Sequence, residues 1–186
     1  MFTIFNMDQL PTIRSRDICH DKVFHCLVFR IVIIISTPRK AYANNQEMTV
    51  ALVEKLKELD IQLVVLAGCM VIFSHELVDN YPNAIMNVHP ALIPSFCGKG
   101  FYGLHVHEAA LEYGVKLSGA TVHFVSEECD GGPIIAQKAV PILEDDTPET
   151  LQRRIMEEAE WKLLPEAISL FCQGRITVEG RHVRIK

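Results

Sequence analysis

Three apolar runs of strand length, residues 27–36, 62–67 and 84–89, are separated by stretches with helical periodicity, and this alternation constrains the fold more than any other feature. Strands apolar on both faces belong to a covered sheet, and parallel neighbours need a crossover of a dozen or more residues between them. The segment EMTVALVEKLKELD supplies one: Met48, Leu52, Leu56 and Leu59 share a face and the charges lie opposite. Ser74 is placed to cap a short helix over HELVDNY, and LHVHEAALEYG reads as a helix ending at Gly114. Two further strands follow, KLSGATVHFVS and PIIAQKAVPI, parted by EECDGG, where Gly131-Gly132-Pro133 forces a turn. Thr147-Pro148 starts a helix expected to run towards Gln173 with an interruption at Pro165, and ITVEGRHVRI alternates around Glu179-Gly180 like a hairpin. The expected fold class is therefore α/β: a single open, mostly parallel sheet flanked by helices, in one domain spanning residues 1–186. Sheets of this kind bind ligands beyond the carboxyl ends of their strands.

Composition narrows the partners. A net charge of -5 and the absence of a dense Lys/Arg tract argue against nucleic acid or an anionic membrane surface. The run over residues 23–36 falls short of the ~20 apolar residues of a spanning helix and contains His25 and Arg30, so it reads as a buried strand. The first thirty residues lack a basic segment followed by an apolar one and a small-residue cleavage site, so no secretory signal is expected. The six cysteines (Cys19, Cys26, Cys69, Cys97, Cys129 and Cys172) are dispersed without a CxxC, which reads as buried free thiols in a reducing, cytoplasmic setting.

The chemistry concentrates in loops. Asn87 and His89, at i and i+2 on an extended segment, point the same way at the end of an apolar strand, and Pro90 and Pro94 stiffen the exit. Two donors facing one oxygen suit a carbonyl becoming an oxyanion; the same two residues could equally satisfy loop backbone groups. Asp130, in the CDGG turn, adds a carboxylate that favours a charged imidazolium on His89 and can accept a proton directly or through water; its alternative role is to stabilise its own turn. With no evident Ser or Cys nucleophile, attack by the substrate's own group is implied, and acyl transfer to an amine fits. His105 and His107 could join His89 and His123 as metal ligands, but no closed-site spacing supports this, and no metal is expected. Trp161 reads as a core residue, and CGKGFYG, residues 97–103, as an extension of the site's rim.

In order and spacing, VVLAGCM, MNVHPALIPSF, GLHVHEAAL, SGATVHFVSEECDGGPIIAQKAVPI, EEAEWKLLPEAI and GRITVEGRHVRI resemble the phosphoribosylglycinamide formyltransferase family over roughly residues 31 to 43 and 46 to 186. The resemblance implies formyl transfer from 10-formyltetrahydrofolate to the amine of glycinamide ribonucleotide in purine synthesis, in a cytoplasmic monomer or homodimer. Asn87 and His89 would polarise the formyl oxygen, with Pro90 beside the substrate, and Asp130 would hold the imidazolium and relay the proton. The folate pterin would lie against Leu66, Met70, Val71, Ile72 and Phe73 and against the loop from Val125 through Glu128 to Asp130. Glu160 would bind the ribose hydroxyls, while His107 and His123 would support the loops. The chain departs from the family pattern at Val71, commonly arginine, and at Cys69, usually aromatic.

Residues 1–30 do not match the family. A glycine-rich turn and helix N-terminus that would hold the substrate phosphate are not found in MFTIFNMDQLPTIRSRDICHDKVFHCLVF, and IVIIISTPRKAYA passes almost directly into NNQEMTVALVEKL. The N-terminal βα phosphate-binding unit is thus expected to be missing or replaced; substitution by Arg39 and Lys40 as point charges is the less favoured alternative. Two alternatives to a full transferase follow: a folate-binding remnant, and a formyltetrahydrofolate hydrolase-like enzyme that needs only folate and water.

Overall fold

A computed structural model describes residues 31–33, 42–69, 71 and 73–186. The expectations that concern residues 1–30, the rest of the first apolar run, Arg39, Lys40, Met70 and Ile72 lie outside the described residues. The chain divides into two compact units, Met1–Met86 and Asn87–Lys186.

In the first unit β1 (Ile31–Ile33) pairs in parallel with β2 (Leu63–Leu66), Ile31 opposite Leu63. Helix α1 (Asn45–Glu58) lies between them in sequence. It begins at Asn44, whose side chain accepts the Glu47 N–H at 2.8 Å, while Glu47 accepts the Ala43 N–H at 2.9 Å, so orphan amides at the helix start are paired. Met48, Leu52 and Leu56 are buried as the periodicity predicts, each contributing about 1.5–3 kcal/mol of transfer free energy. Leu59 closes the helix and is only half-buried, so the stripe is completed instead by Val53. Helix α2 (His75–Asn80) starts after Ser74, but the Ser74 side chain makes no capping bond. Its backbone N–H donates to Thr49 Oγ1 at 3.3 Å, and Gln46 Nε2 donates to Glu76 Oε1 at 2.6 Å, so α2 is fastened to α1.

Strand β3 (Ile85–His89) carries the chain into the second unit, where β4 (Leu117–Phe124) and β5 (Ile134–Pro141) pair antiparallel, Leu117 opposite Pro141. Strand pairing is thus mixed, parallel in the first unit and antiparallel between β4 and β5 in the second. Two strands joined by a short turn can only pair antiparallel, because a parallel partner requires a crossover. Between β3 and β4 in sequence lies α3 (Leu104–Tyr113), which stops at Gly114 with a left-handed φ of 79°. The tail forms the separate hairpin of β6 (Ile176–Glu179) and β7 (His182–Ile185).

Helix α4 (Pro148–Ile155) opens on the expected Thr147-Pro148, with Thr147 and Thr150 capping each other. The expected break at Pro165 is not where the helix changes. A π-helical segment, Met156–Glu160, interrupts it one turn earlier, and Pro165 lies inside α5 (Trp161–Cys172) on its exposed side. The core-facing residues explain this: Leu151, Ile155, Ala159, Leu163 and Ala167 are all buried and recur every four residues. At 3.6 residues per turn such a stripe drifts roughly 40° at each step, and the wider π turn takes up part of the drift. Trp161, two residues from each of the buried Ala159 and Leu163, lies on the opposite face; the expected core tryptophan is 61 % exposed.

Of the described cysteines only Cys172 is buried; Cys69 and Cys97 are half-buried and Cys129 exposed. The expectation of buried thiols fails at Cys97 and Cys129 because both sit on loops around the CDGG turn rather than on the strands beside it. Among the described residues no helix is long and apolar enough to cross a membrane.

Candidate active site

The site forms within the second unit, where β3, the loop after it, β4 and the CDGG turn bring four polar side chains together. Asn87 and His89 are two apart on β3 and therefore share a face. His123 sits near the end of β4 at a register shift between Val122 and His123, an irregularity that redirects side chains. Asp130 takes a left-handed φ of 54°, tolerated by Asp, in a turn closed by Gly131 N–H on Glu128 O at 3.0 Å.

The resulting contacts define a cluster around one carboxylate. His89 Nδ1 lies 3.6 Å from Asp130 Oδ2, and His123 Nε2 lies 3.6 Å from Asp130 Oδ1. Asn87 Nδ2 is 3.3 Å from His123 Nε2, and His123 Nδ1 is 2.9 Å from the Phe124 carbonyl. That carbonyl can only accept, which places a proton on His123 Nδ1, while Nε2 faces both Asn87 Nδ2 and Asp130 Oδ1. Asn87 thereby keeps one amide N–H uncommitted to His123. His89 Nε2 is 2.8 Å from the Phe96 carbonyl and donates to it. Gly98 N–H, from the CGKGFYG loop, donates to Asp130 Oδ2 at 2.9 Å, so the expected rim extension is fastened to the carboxylate itself.

Electrostatics differ from the sequence expectation at His89. Burial lowers its pKa below the ordinary value, and this outweighs the opposite pull of the Asp130 charge and of the Phe96 carbonyl. The expected imidazolium is thus disfavoured in the closed cluster. At Asp130 burial would raise the pKa, but hydrogen bonding to His123, the Gly98 N–H and the two nearby imidazoles prevail and bring it to about 2. His107, on α3, is fully buried with neither ring nitrogen hydrogen-bonded to a described residue. Burial, then the neighbouring His89, lowers its pKa to about 4, so it is a neutral imidazole. His105, by contrast, is exposed and pairs with Glu108 at 2.9 Å.

Two residues the sequence reading missed brace the loop behind His89. Thr121 Oγ1 accepts the Ile93 N–H at 3.1 Å and donates to the Ala91 carbonyl at 2.7 Å. Gln137 Nε2 reaches both the Ile93 carbonyl and Thr121 Oγ1 at 2.9 Å. Thr121 is buried and reads simply as part of an apolar strand, and Gln137 as the polar face of its neighbour; no local signal pairs them with a loop about thirty residues earlier.

The remaining expected contacts are dispersed. Pro90 directly follows β3 and is half-buried; Val125 is half-buried and Glu128 exposed on the loop leading to Asp130. In the first unit Leu66 is buried at the end of β2, and Val71 and Phe73 are half-buried. Glu160 closes the π segment, half-buried, and burial raises its pKa to about 7. Among the described residues no group of three or more His, Cys, Asp or Glu side chains is arranged to hold a metal ion.

Glu160 yields a pH prediction. Its folded pKa lies above its unfolded one, so the stability it contributes is fully present below about pH 4.5 and is lost as pH rises towards about 7. The Tm of Glu160→Gln, measured from pH 4.5 to 8, is expected to fall less with rising pH than that of the parent; parallel curves would reject the assignment.

A family model described as formyl transferase matches residues 27–168. The chain is 47% identical over 125 residues to phosphoribosylglycinamide formyltransferase, chloroplastic, of Arabidopsis thaliana, covering 67% of this chain and 42% of that protein. It is 38% identical over 141 residues to phosphoribosylglycinamide formyltransferase of Haemophilus influenzae, covering 76% and 64%. The crystal structure of glycinamide ribonucleotide transformylase 1 from Symbiobacterium toebii superposes with a TM-score of 0.74 at 47% identity, over 81% of this chain and 68% of that one. The chain thus spans less than two thirds of the length of both curated relatives.

Proposed function

The chain belongs to the formyl transferase family, and on that premise we propose that it transfers a formyl group from 10-formyltetrahydrofolate to the amine of glycinamide ribonucleotide, a step of purine synthesis. The observation that carries this reading is the convergence of His89 and His123 on the Asp130 carboxylate, with the Asn87 amide against His123. The similarity to phosphoribosylglycinamide formyltransferases supports the reaction class.

In this reading the substrate amine attacks the formyl carbon without a protein nucleophile. The developing oxyanion takes the second N–H of Asn87 and the Nε2–H of His89, the latter only after the Phe96 carbonyl releases it. The attacking nitrogen must lose a proton and the folate nitrogen must gain one. A carboxylate with a pKa of about 2 is a weak base, so Asp130 acts chiefly by its charge. It orients a water through which the proton passes and stabilises the imidazolium whenever His89 carries it. In the second unit the half-buried Val125, on the loop running past Glu128 to Asp130, offers an apolar wall to the pterin. Glu160 accepts from the ribose hydroxyls, where ionisation below its raised pKa range would be favoured by the bound diol.

The test is a spectrophotometric assay of 10-formyltetrahydrofolate turnover with and without glycinamide ribonucleotide. Turnover dependent on the ribonucleotide is expected. Formyl release to water at the same rate without it assigns a hydrolase instead, and folate binding with no turnover rejects both enzymatic readings.

A further inference from the structure

Asp130 Oδ2 is approached from two loops, each carrying a cysteine. The Gly98 N–H donates to it at 2.9 Å, and Cys129 Sγ lies 3.8 Å from the same oxygen. Cys97 immediately precedes Gly98, and its Sγ is 3.3 Å from the Pro94 carbonyl. The backbones pack closely: a Cβ built on Gly98 would stand 4.0 Å from the Cys129 carbonyl oxygen. The two cysteine-bearing loops thus meet at one carboxylate oxygen, and a bond between them requires their Cα atoms to come within the roughly 4.4–6.8 Å that a disulfide spans. Cys129 is exposed and Cys97 half-buried, whereas Cys172 is buried.

We propose that Cys97 and Cys129 form a disulfide across the Asp130 carboxylate when a small-molecule disulfide such as oxidised glutathione is present, and that the bond switches the site off. The Cys129 thiolate attacks the small disulfide, and one glutathione thiolate leaves. The Cys97 thiolate then attacks Cys129 Sγ and expels the second. Two electrons pass to the oxidant, and the two protons lost by the protein thiols end on the two released glutathiones. Burial, then the Asp130 charge, holds both thiols above their ordinary pKa. The exchange is therefore slow at neutral pH, and because high-pKa thiolates leave poorly, the finished bond persists until a dithiol reduces it.

The consequence for activity rests on the formyl-transfer reading. A bond from residue 97 to residue 129 holds in place the segment whose Phe96 carbonyl engages His89 and whose Gly98 N–H engages Asp130. Both groups are then withheld from substrate.

The full chain is incubated with oxidised glutathione at pH 8.5, alkylated, digested and analysed by mass spectrometry, and formyl-folate turnover is followed in parallel. A peptide linking Cys97 to Cys129 is expected, with at least a tenfold loss of turnover that dithiothreitol reverses and that Cys97→Ser does not suffer. Absence of that peptide overturns the pairing. A linked peptide with unchanged turnover overturns the switch, as does equal loss in Cys97→Ser, which would trace inhibition to a glutathione adduct. The linked peptide is read by mass alone, so failure of the formyl-transfer reading leaves the test of the pairing intact.

Discussion

Asp130→Asn is expected to lower formyl transfer by about 10²- to 10⁴-fold, the usual range for removing a group that assists proton transfer. The substitution preserves shape, and the amide oxygen of Asn can still accept the Gly98 N–H. What disappears is the negative charge between His89 and His123. Burial already lowers the His89 pKa, and Asp130 is the principal opposing influence, so without it the imidazolium becomes still less accessible in the reaction. The loss should appear in kcat, with KM for the folate changed much less, because the carboxylate acts on charge developing during the reaction rather than on bound ground-state substrate. A variant that keeps more than a tenth of parental kcat would remove Asp130 from the mechanism. Acid stability offers an independent reading. Since the folded pKa is depressed to about 2, the stability that Asp130 contributes is present above about pH 4 and lost as pH falls towards 2, and the Asn variant should lack that dependence.

The second large effect belongs to a residue without a side chain. Gly132→Ala should destabilise the protein by about 3 kcal/mol or more, lowering Tm by roughly 6–12 °C. Its Cβ would stand 1.8 Å from the Phe124 carbonyl oxygen and 2.8 Å from the Phe124 carbonyl carbon. The clash is with backbone, so no rotamer relieves it. It falls where Phe124 N–H donates to the Pro133 carbonyl at 2.8 Å, the bond that closes the base of the turn. His123 and Asp130 sit on either side, so turnover should fall together with stability. Gly131→Ala provides a milder contrast: its Cβ would meet Glu128 Oε2 at 2.5 Å and Cγ and Cβ at 2.6 Å, and while the exposed carboxylate and Cγ can swing away, Cβ moves only with the backbone. Thermal and denaturant unfolding of the two variants should differ by more than 1 kcal/mol. Equal stabilities would mean that the turn opens without cost.

Much of the secondary structure was legible because it depends on near neighbours. The stripe of Met48, Leu52 and Leu56, the start at Thr147-Pro148 and the stop at Gly114 are local patterns, and each appears in the structure. The misses have a common cause. Pro165 is a local breaker by composition, yet the stripe from Leu151 to Ala167 demands a four-residue repeat that only packing against the core imposes, so the irregularity falls at Met156–Glu160. Trp161 followed that register to the surface. The cysteines around the CDGG turn were misplaced in the same way, since their exposure depends on which loops meet.

For the candidate site, the sequence by itself determined the types and order of the groups: an amide and an imidazole two apart on a strand, a carboxylate in a glycine turn, and histidines nearby. These follow from alternation along an extended chain and from the turn chemistry of Asp and Gly, both effects of a few residues' reach. Only the tertiary structure decided what each group is doing. It placed His123 between Asn87 and Asp130, set the Phe96 carbonyl on His89 and the Gly98 N–H on Asp130, and buried His89 deeply enough for desolvation to outweigh its carboxylate neighbour. Hydrogen-bond partners and desolvation are sums over segments far apart in sequence, which no local pattern records.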